Sequence, residues 1–293
     1  MKIERNAYAK INLGLDVTGK RADGYHIVRM IMTNVDIFDT LTFEDTDDGK
    51  VTMTAETNAK VSSVIPVDDS NLICKVAHQL QDKYGVKKGA KIHLVKRIPV
   101  AAGMAGGSTD GAAAYHALNE LWGLGLTEDE LCKLAVSLGA DIPYCIKGGT
   151  ALAEGIGEEL TQISDMPKCC IVVAKPDIDV STGWVYKELD SQENVEHPDI
   201  DGIRKAIDNG DLKEMCRLIG NVLEPVTASR YDVIGKIEAV LEDSGAVGAF
   251  MTGSGPTVFG IFDDESKAKA GYEKVVESSL APQVFLTGPK NKD

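Results

Sequence analysis

The sequence contains no long apolar run and no leader pattern. Nothing in its 293 residues approaches the roughly 18 consecutive apolar residues that a membrane-spanning helix needs. Residues 1–6, MKIERN, lead directly into a strand-like pattern, which differs from a secretion signal. We therefore expect a cytoplasmic protein that has no membrane partner.

Metal-binding and disulfide patterns of cysteine are also missing. The cysteines show no Cys-x-x-Cys spacing, and the five histidines form no ligand spacing with them. We expect reduced thiols, mostly in the core, and no structural zinc site. The six cysteines are Cys74, Cys132, Cys145, Cys169, Cys170 and Cys216.

Basic residues are too few to balance the acidic ones. The chain has 31 Lys and Arg against 45 Asp and Glu, and its formal net charge is −14. This argues against nonspecific binding of nucleic acid, which needs a basic surface. A phosphorylated ligand would need local neutralisation by backbone N–H groups, a few Lys or Arg, and Mg²⁺. The length predicts two domains or one large one.

The two commonest nucleotide-binding motifs are absent, but a different glycine-rich loop is present. There is no Gly-Lys-[Ser/Thr] and no Gly-x-Gly-x-x-Gly. Residues 99–114, PVAAGMAGGSTDGAAA, follow a strand-like run and lead into an alanine-rich helix. Glycines and the free N–H groups of a first helical turn make a cradle for phosphate. A turn that merely starts a helix is the alternative.

Three segments elsewhere contain residues that are candidates for a site. Lys10 and Asn12 share one face of the strand-like run 7–15. Lys10 is either a charged residue of a site or an ordinary lysine on a solvent-exposed face. Tyr25 and His26 follow a turn and suit either a planar ligand or ordinary packing. Asp141 lies in a break at a helix end, shaped by Gly139 and Pro143, where it is either a turn former or a general base.

The remaining pattern predicts an α+β protein. Segments 41–43 and 51–55 are typical of a hairpin or meander, 154–166 is polar and turn-rich, and 177–186 reads as a loop. The order of elements after residue 232 favours an antiparallel sheet with helices. The spacing predicts helices over 71–84, 108–121, 127–138, 200–207, 212–223, 233–243 and 266–278. It predicts strands over 7–15, 27–35, 90–95, 148–153, 171–174, 246–250, 257–262 and 283–286.

Segments spread over almost the whole chain resemble one kinase superfamily. Ala9–Leu13, Pro99–Ala114 and Thr252–Pro256 resemble the galactokinase, homoserine kinase, mevalonate kinase and phosphomevalonate kinase (GHMP) superfamily. Within it, the ordered set is most similar to the 4-diphosphocytidyl-2-C-methyl-D-erythritol kinase family. The segments that carry this are YAKINL at 8–13, RADGYH at 21–26, GADIP at 139–143 and FMTGSGPTVF at 250–259.

The resemblance implies a reaction and a fold. ATP with Mg²⁺ would phosphorylate the 2-hydroxyl of the methylerythritol unit, in the non-mevalonate route to isoprenoids. The fold would be α+β, with a ribosomal protein S5 domain 2-like N-terminal domain over 1–160 and a ferredoxin-like C-terminal domain over 161–293. The site would lie in the cleft between them, and the protein would be a monomer or homodimer.

The resemblance also implies roles for particular residues. Asp141 matches the catalytic base and Lys10 the lysine that holds it ionised, while Ser108 or Thr109 could reach Mg²⁺. Residues implied to bind the ATP phosphates are Pro99, Val100, Ala101, Ala102, Gly103, Met104, Ala105, Gly106, Gly107, Ser108, Thr109, Gly253, Ser254 and Gly255. Residues implied to bind the substrate are Asn12, Tyr25, His26 and Tyr186, with Trp184 as a competitor for the last stacking position.

Two departures and two rival functions accompany this resemblance. Gly111 stands where relatives more often have Ala, which costs up to about 1 kcal/mol in a helix. Met32 stands where an aromatic often lines the cleft.

One rival function is that of another GHMP kinase, but the substrates of those kinases have no pyrimidine for Tyr25 and His26 to bind. The other is a nucleotide-binding relative without catalysis, against which the presence of Lys10 and Asp141 argues.

Overall fold

The computed structural model describes residues 1–57 and 65–292, which form two compact units. The first unit consists of Met1–Ala9, Ile37–Val100 and Ala105–Lys147. The second consists of Lys10–Asp36, Ala101–Met104 and Gly148–Asp293. The division of the sequence at residue 160 into two family domains stays a prediction.

Strands and helices occur largely in separate runs along the chain, as in an α+β protein. The strands are β1 (Lys2–Lys20), β2 (His26–Thr46), β3 (Val51–Thr57), β4 (Gly89–Lys96), β5 (Ala151–Glu154), β6 (Glu159–Gln162), β7 (Cys170–Lys175), β8 (Gly248–Met251), β9 (Val258–Phe262) and β10 (Gln283–Thr287). The helices are α1 (Leu72–Tyr84), α2 (Gly106–Leu121), α3 (Glu128–Ala135), α4 (Ile142–Lys147), α5 (Thr182–Leu189), α6 (Ile200–Asp208), α7 (Leu212–Leu218), α8 (Glu224–Arg230), α9 (Val233–Glu242) and α10 (Glu265–Ser278).

The sheet of the first unit differs from the predicted hairpin. β3 pairs in parallel with β4, with Val51 opposite Ala90, and β4 pairs antiparallel with the Thr40–Thr46 part of β2. β4 therefore occupies the place beside β2 that the hairpin assigned to β3, and that prediction is wrong. The alternating pattern of 51–55 indicates which face is buried, but it contains no information about the neighbouring strand.

The helices of the first unit pack over an apolar core. Thr127 and Glu130 form a capping box at the start of α3, in which each side chain caps the other residue's backbone N–H. α1 is capped by Asn71, whose Oδ1 accepts from the N–H of Ile73. Three aromatic side chains in this part are fully buried: Tyr115 on α2, Tyr144 on α4 and Phe43 on β2.

The second unit contains a four-stranded antiparallel sheet with the order β10-β7-β9-β8. Numbered along the chain, these strands lie in the order 4-1-3-2, and α10 connects β9 to β10. This is the ferredoxin-like arrangement, and the predicted antiparallel sheet is confirmed. β6 lies within the segment 154–166 that reads as turn-rich, and it forms a hairpin with β5, in which Glu154 is opposite Glu159.

Three helical segments differ from the sequence prediction. α5 contains Trp184 and Tyr186, where a loop is expected, and Ser181 caps it by accepting from the N–H of Trp184. The predicted helix 212–223 ends at Leu218, and α8 follows as a separate helix with a proline in its first turn.

Within residues 1–57 and 65–292, no helix is long and apolar enough to cross a membrane.

Candidate active site

Lys10 is a buried cation on β1, in the second unit. Its side chain is 5% exposed, so the solvated-face alternative is wrong. The ammonium Nζ donates to Oδ1 of Asn12 at 2.6 Å and to the carbonyl of Gly103 at 3.0 Å. These two acceptors hold the charge of Lys10 in place at the end of the glycine-rich loop.

Thr252 joins this cluster and was not among the predicted site residues. The Thr252 hydroxyl accepts from the N–H of Asn12 at 3.0 Å and donates to Oδ1 of Asn12 at 3.3 Å. Thr252 and Asn12 are both buried. A threonine beside a glycine turn gives no distinctive sequence signal, because its function here depends on a partner 240 positions away.

The loop segment 101–104 and the turn 252–255 touch through their backbones. A Cβ at Gly103, whose φ is +71°, would lie 2.4 Å from the carbonyl oxygen of Thr252. A Cβ at Gly253, whose φ is +60°, would lie 3.0 Å from the carbonyl oxygen of Gly103. Both positions therefore require glycine, for the left-handed backbone and for the close approach.

In the first unit, the start of α2 has the properties of an anion site. The N-cap residue is Ala105, in a left-handed conformation with φ of 57°, and alanine has no side chain that could cap the helix. The N–H groups of the first turn, at Gly106, Gly107 and Ser108, thus point outward at the positive end of the helix dipole. A Cβ at Gly107 would meet open space. The predicted helix starts at Ser108, and α2 starts two residues earlier.

Thr109 is turned inward. Its hydroxyl donates to the carbonyl of Tyr8 at 2.8 Å, and the residue is buried. Ser108, in contrast, is partly exposed.

A buried ion cluster that the sequence analysis missed lies beneath α2. Nζ of Lys96 contacts Oδ2 of Asp39 at 2.5 Å and Oδ2 of Asp110 at 2.6 Å. It lies 3.1 Å from the position of a Cβ on Gly106. Burial lowers the pKa of Lys96, but the charges of Asp110 and Asp39 outweigh it and raise that pKa above 10.5. Lys96 thus remains a cation directly under the first turn of α2.

Asp141 belongs to the first unit and immediately precedes α4. Its carbonyl accepts from the N–H of Cys145 at 3.1 Å, which makes Asp141 the residue before the first turn of a short helix. The predicted break is present at 136–141, between α3 and α4, and Pro143 lies in the first turn of α4, where the missing N–H costs nothing. The Asp141 side chain is partly exposed.

Two of the predicted substrate-binding aromatics lie together in the second unit. The ring centroids of His26 and Tyr186 are 4.6 Å apart at an interplanar angle of 31°. Trp184, the competitor for this position, instead lies 4.7 Å from the guanidinium of Arg230 and edge-on to Tyr231. Tyr25 is 59% exposed, so its ring is accessible.

A carboxylate outside the predicted set orients His26. Nε2 of His26 lies 2.7 Å from Oδ1 of Asp190, and Nζ of Lys20 lies 2.5 Å from Oδ2 of the same carboxylate. The hydrogen bond from Lys20, followed by that from His26, lowers the pKa of Asp190 below 3.8. An ionised Asp190 accepts a proton donor at Nε2, which leaves Nδ1 of His26 available for a ligand.

The fold and these loops define a small-molecule kinase of the GHMP class. The family model "GHMP kinases N terminal domain" matches residues 71–149, and "GHMP kinases C terminal" matches residues 203–280. A homoserine kinase from Cytophaga hutchinsonii is 18% identical with a TM-score of 0.79, over 99% of this chain and 96% of that one, and shares the fold. The predicted two-domain GHMP fold is thus confirmed.

More similar relatives identify the branch of this class. A 4-diphosphocytidyl-2-C-methyl-D-erythritol kinase from Enterococcus faecalis is 47% identical over 98% of both chains. One from Lachnoclostridium phytofermentans is 44% identical over 97% of this chain and 96% of that one. A crystal structure of 4-(cytidine 5'-diphospho)-2C-methyl-D-erythritol kinase has a TM-score of 0.83 at 28% identity, covering 99% of this chain and all of that one. The chain belongs to the 4-diphosphocytidyl-2-C-methyl-D-erythritol kinase family.

Proposed function

We propose that this protein transfers the γ-phosphoryl group of ATP to the 2-hydroxyl of 4-diphosphocytidyl-2-C-methyl-D-erythritol, a step of the non-mevalonate isoprenoid pathway. The observation that carries the proposal is the buried Lys10 ammonium, anchored on the Gly103 carbonyl at 3.0 Å inside the glycine-rich loop. A relative that matches 98% of the chain at 47% identity bears the name of that kinase.

The chemistry assigns distinct tasks to Asp141 and Lys10. A tertiary hydroxyl has a pKa far above neutrality, so its proton must leave as the phosphoryl group arrives. Asp141 accepts that proton, and the ammonium of Lys10 supplies positive charge to the reacting groups. Most of the rate acceleration comes from positioning and from neutralising phosphate charge.

The ATP phosphates bind to the loop Pro99–Thr109 and to the turn Gly253–Gly255. The start of α2 supports this assignment, since the first N–H groups of a helix have no acceptor within the helix and no side chain caps this one. Bound Mg²⁺ would neutralise phosphate charge, with Ser108 as its protein hydroxyl. Ser108 is preferred over Thr109 because the Thr109 hydroxyl is engaged by the Tyr8 carbonyl at 2.8 Å.

The cytosine end of the substrate binds to the second unit. Tyr25 and Tyr186 stack on the base, and His26 pairs with the base edge through Nδ1 and its backbone. The His26–Asp190 contact at 2.7 Å supports this, since it fixes which ring nitrogen carries the proton. Asn12 contacts the substrate near the reacting end. A base edge matched by buried polar groups discriminates strongly between analogues.

The remaining assignments follow from the same proposal. Residues 1–160 form the N-terminal kinase domain and 161–293 the C-terminal one, consistent with family matches at 71–149 and 203–280. We place the enzyme in the cytoplasm, where ATP is available, as a monomer or homodimer that acts on a small molecule and not on nucleic acid.

The test is ATP consumption, coupled to ADP detection, with Mg²⁺ and four alcohols supplied separately. We expect turnover with 4-diphosphocytidyl-2-C-methyl-D-erythritol and none with homoserine, mevalonate or galactose. Turnover with one of the other three would overturn the substrate assignment and retain the kinase class.

Asp141→Asn tests the proposed base in the same assay. We expect kcat to fall by about 10² or more with KM values little changed, because a general base contributes about 10²–10⁴ to the rate. The control is Asp129→Asn, which removes a carboxylate paired with Lys147 at the surface of the same unit. Wild-type turnover by Asp141→Asn would refute the assignment.

A further inference from the structure

The turn between β8 and β9 is held by a side chain that no assigned role explains. Nδ2 of Asn221 donates to the carbonyls of Met251, at 3.0 Å, and Gly253, at 2.8 Å. Oδ1 of the same residue accepts from the N–H of Leu223 at 3.0 Å. The amide of Asn221 therefore has one orientation only, since a flip would point its oxygen at two carbonyl oxygens.

The first residues of α8 hold the same turn. Oε2 of Glu224 accepts from the N–H of Met251 at 2.7 Å, and the hydroxyl of Thr227 shares its proton between the carbonyls of Ser254 and Leu223, each at 3.2 Å. With Asn221, these side chains satisfy four backbone groups of residues 251–254. A glycine turn satisfied in this way loses much of the conformational freedom that glycine confers.

The other side of the turn leads to Lys10. The carbonyl of Thr252 packs against Gly103, and the Thr252 hydroxyl is hydrogen-bonded to the N–H of Asn12 at 3.0 Å. Oδ1 of Asn12 in turn accepts from Nζ of Lys10 at 2.6 Å. All of these residues belong to the second unit. The turn thus connects the start of α8 to the buried ammonium, in addition to the direct backbone bonds between Leu15 on β1 and residues 220–222.

We propose that Asn221, supported by Glu224, is a positioning residue for the phosphate end of the ATP site. It holds the turn 251–255 in the shape that presents Gly253–Gly255 to phosphate. The same shape keeps the side chains of Thr252, Asn12 and Lys10 in their hydrogen-bonded positions. The inference rests on the proposed function, because it gives the turn and Lys10 the roles assigned there. Neither Asn221 nor Glu224 touches the reacting groups.

The test is Asn221→Asp, which preserves shape and the acceptor for Leu223 but places a carboxylate oxygen against two carbonyls. We expect KM for ATP to rise and kcat to fall, each by about tenfold or more, while affinity for the cytidine substrate changes less than about twofold. ATP affinity, measured by calorimetry without the second substrate, should weaken in parallel with KM.

The matched control is Asn119→Asp in the first unit. Asn119 holds Leu126 in the same manner, donating to its carbonyl at 2.8 Å and accepting from its N–H at 2.9 Å. A purely structural role of Asn221 predicts that both variants lose stability and keep wild-type KM values. That result for Asn221→Asp would overturn the proposal.

A second pair of variants keeps the test decisive if Asn221→Asp does not fold. Glu224→Ala removes the acceptor for Met251 and should raise KM for ATP, whereas Glu224→Gln retains an acceptor and should recover most of that loss. Equal KM values for this pair would contradict the proposal. The wild-type assay separates the two hypotheses: an inactive wild type that binds ATP refutes the proposed reaction, while calorimetry on the variants still tests the positioning role.

Discussion

Glu238, on α9, has a pKa far above that of an exposed glutamate. Burial, with smaller contributions from the charges of Glu224 and Glu242, raises the pKa of Glu238 from 4.5 to about 8. Its Oε1 is buried and has no hydrogen-bond partner within residues 1–57 and 65–292. The folded protein therefore holds a proton at Glu238 that the unfolded chain releases above its ordinary pKa.

This predicts a loss of stability as the pH rises. Between the ordinary pKa of 4.5 and the folded pKa of about 8, the native state binds the additional proton, so the free energy of unfolding falls with pH. Glu238→Gln abolishes this titration. We expect the variant to gain on the order of 2 kcal/mol over wild type between pH 5 and pH 8, measured by urea unfolding.

The control for this prediction is Glu273→Gln, on the exposed face of α10. Its stability relative to wild type should not change over the same pH range. A difference between Glu238→Gln and wild type that does not depend on pH would show that Glu238 is ionised in the folded protein.

At the scale of elements, the glycine-rich loop is defined by close backbone contact as much as by glycine content. Gly103 and Gly253 approach each other's backbone, while Ala101 and Ala105 adopt left-handed conformations with φ of 51° and 57°. Left-handed alanines are uncommon and cost energy, which the surrounding contacts must offset.

A comparison of two glycine substitutions separates contact from conformation. Gly103→Ala and Gly123→Ala both place alanine at positive φ, +71° and +64°, but only the Cβ at Gly103 meets an atom, the Thr252 carbonyl oxygen at 2.4 Å. We expect Gly123→Ala to cost about 1 kcal/mol in urea unfolding. Gly103→Ala should cost clearly more and raise KM for ATP at least tenfold. Similar effects of both substitutions would contradict the close contact.

Helix α2 depends on the ion cluster of Lys96, Asp39 and Asp110. Asp39 also accepts from the N–H groups of Arg97 and Ile98, so its carboxylate organises the chain just before the glycine-rich loop. Burial raises the pKa of Asp110 well above 3.8, against the opposing effect of Lys96. The cluster is therefore stable only while the Lys96 cation is present.

Lys96→Met should destabilise the protein by about 3–5 kcal/mol, because two carboxyl groups would remain buried without their cation. The double variant with Asp110→Asn should recover part of this loss, since one of those carboxyl groups is then neutral. Lys88→Met, which removes an exposed partner of Asp45 at 2.7 Å, is the control and should change stability by about 1 kcal/mol or less. Urea unfolding of the four proteins tests this, and equal losses for Lys96→Met and Lys88→Met would contradict it.

At the scale of the whole molecule, charge is the main obstacle to the proposed reaction. A chain with a net charge of −14 must bring together two phosphorylated ligands. In the proposed reaction, the helix N-terminus, the Lys10 ammonium and a divalent cation on the nucleotide would neutralise this charge locally.

Turnover should therefore follow the concentration of the Mg²⁺–ATP complex. We expect a chelator in excess over Mg²⁺ to reduce activity to background, and added Mg²⁺ to restore it fully, because the cation neutralises phosphate charge during transfer. The measurement is the initial rate at constant ATP over a range of free Mg²⁺. Rates that are independent of Mg²⁺ after exhaustive chelation would contradict this.

Local signals in the sequence were sufficient to predict much of the secondary structure, the fold class and the family of this protein. The capping box at Thr127, the 3.6-residue period of α1 and the continuous apolar run of β9 each depend on neighbours within a few residues. The pattern of elements predicted the α+β class, and the glycine-rich loop with the ordered set of motifs predicted the kinase family. These predictions succeeded because each element and each motif is a short run of contiguous residues.

Tertiary structure decided which distant groups meet. The sequence contained no indication that β4 separates β3 from β2, that Lys96 lies between Asp39 and Asp110, or that Asn221 holds the turn after β8. Each of these contacts joins residues 14 to 57 positions apart, and neither periodicity nor propensity extends over such distances. Burial of the Lys10 charge is also a tertiary property, because a lysine in a strand pattern is identical in sequence whether water or protein covers it.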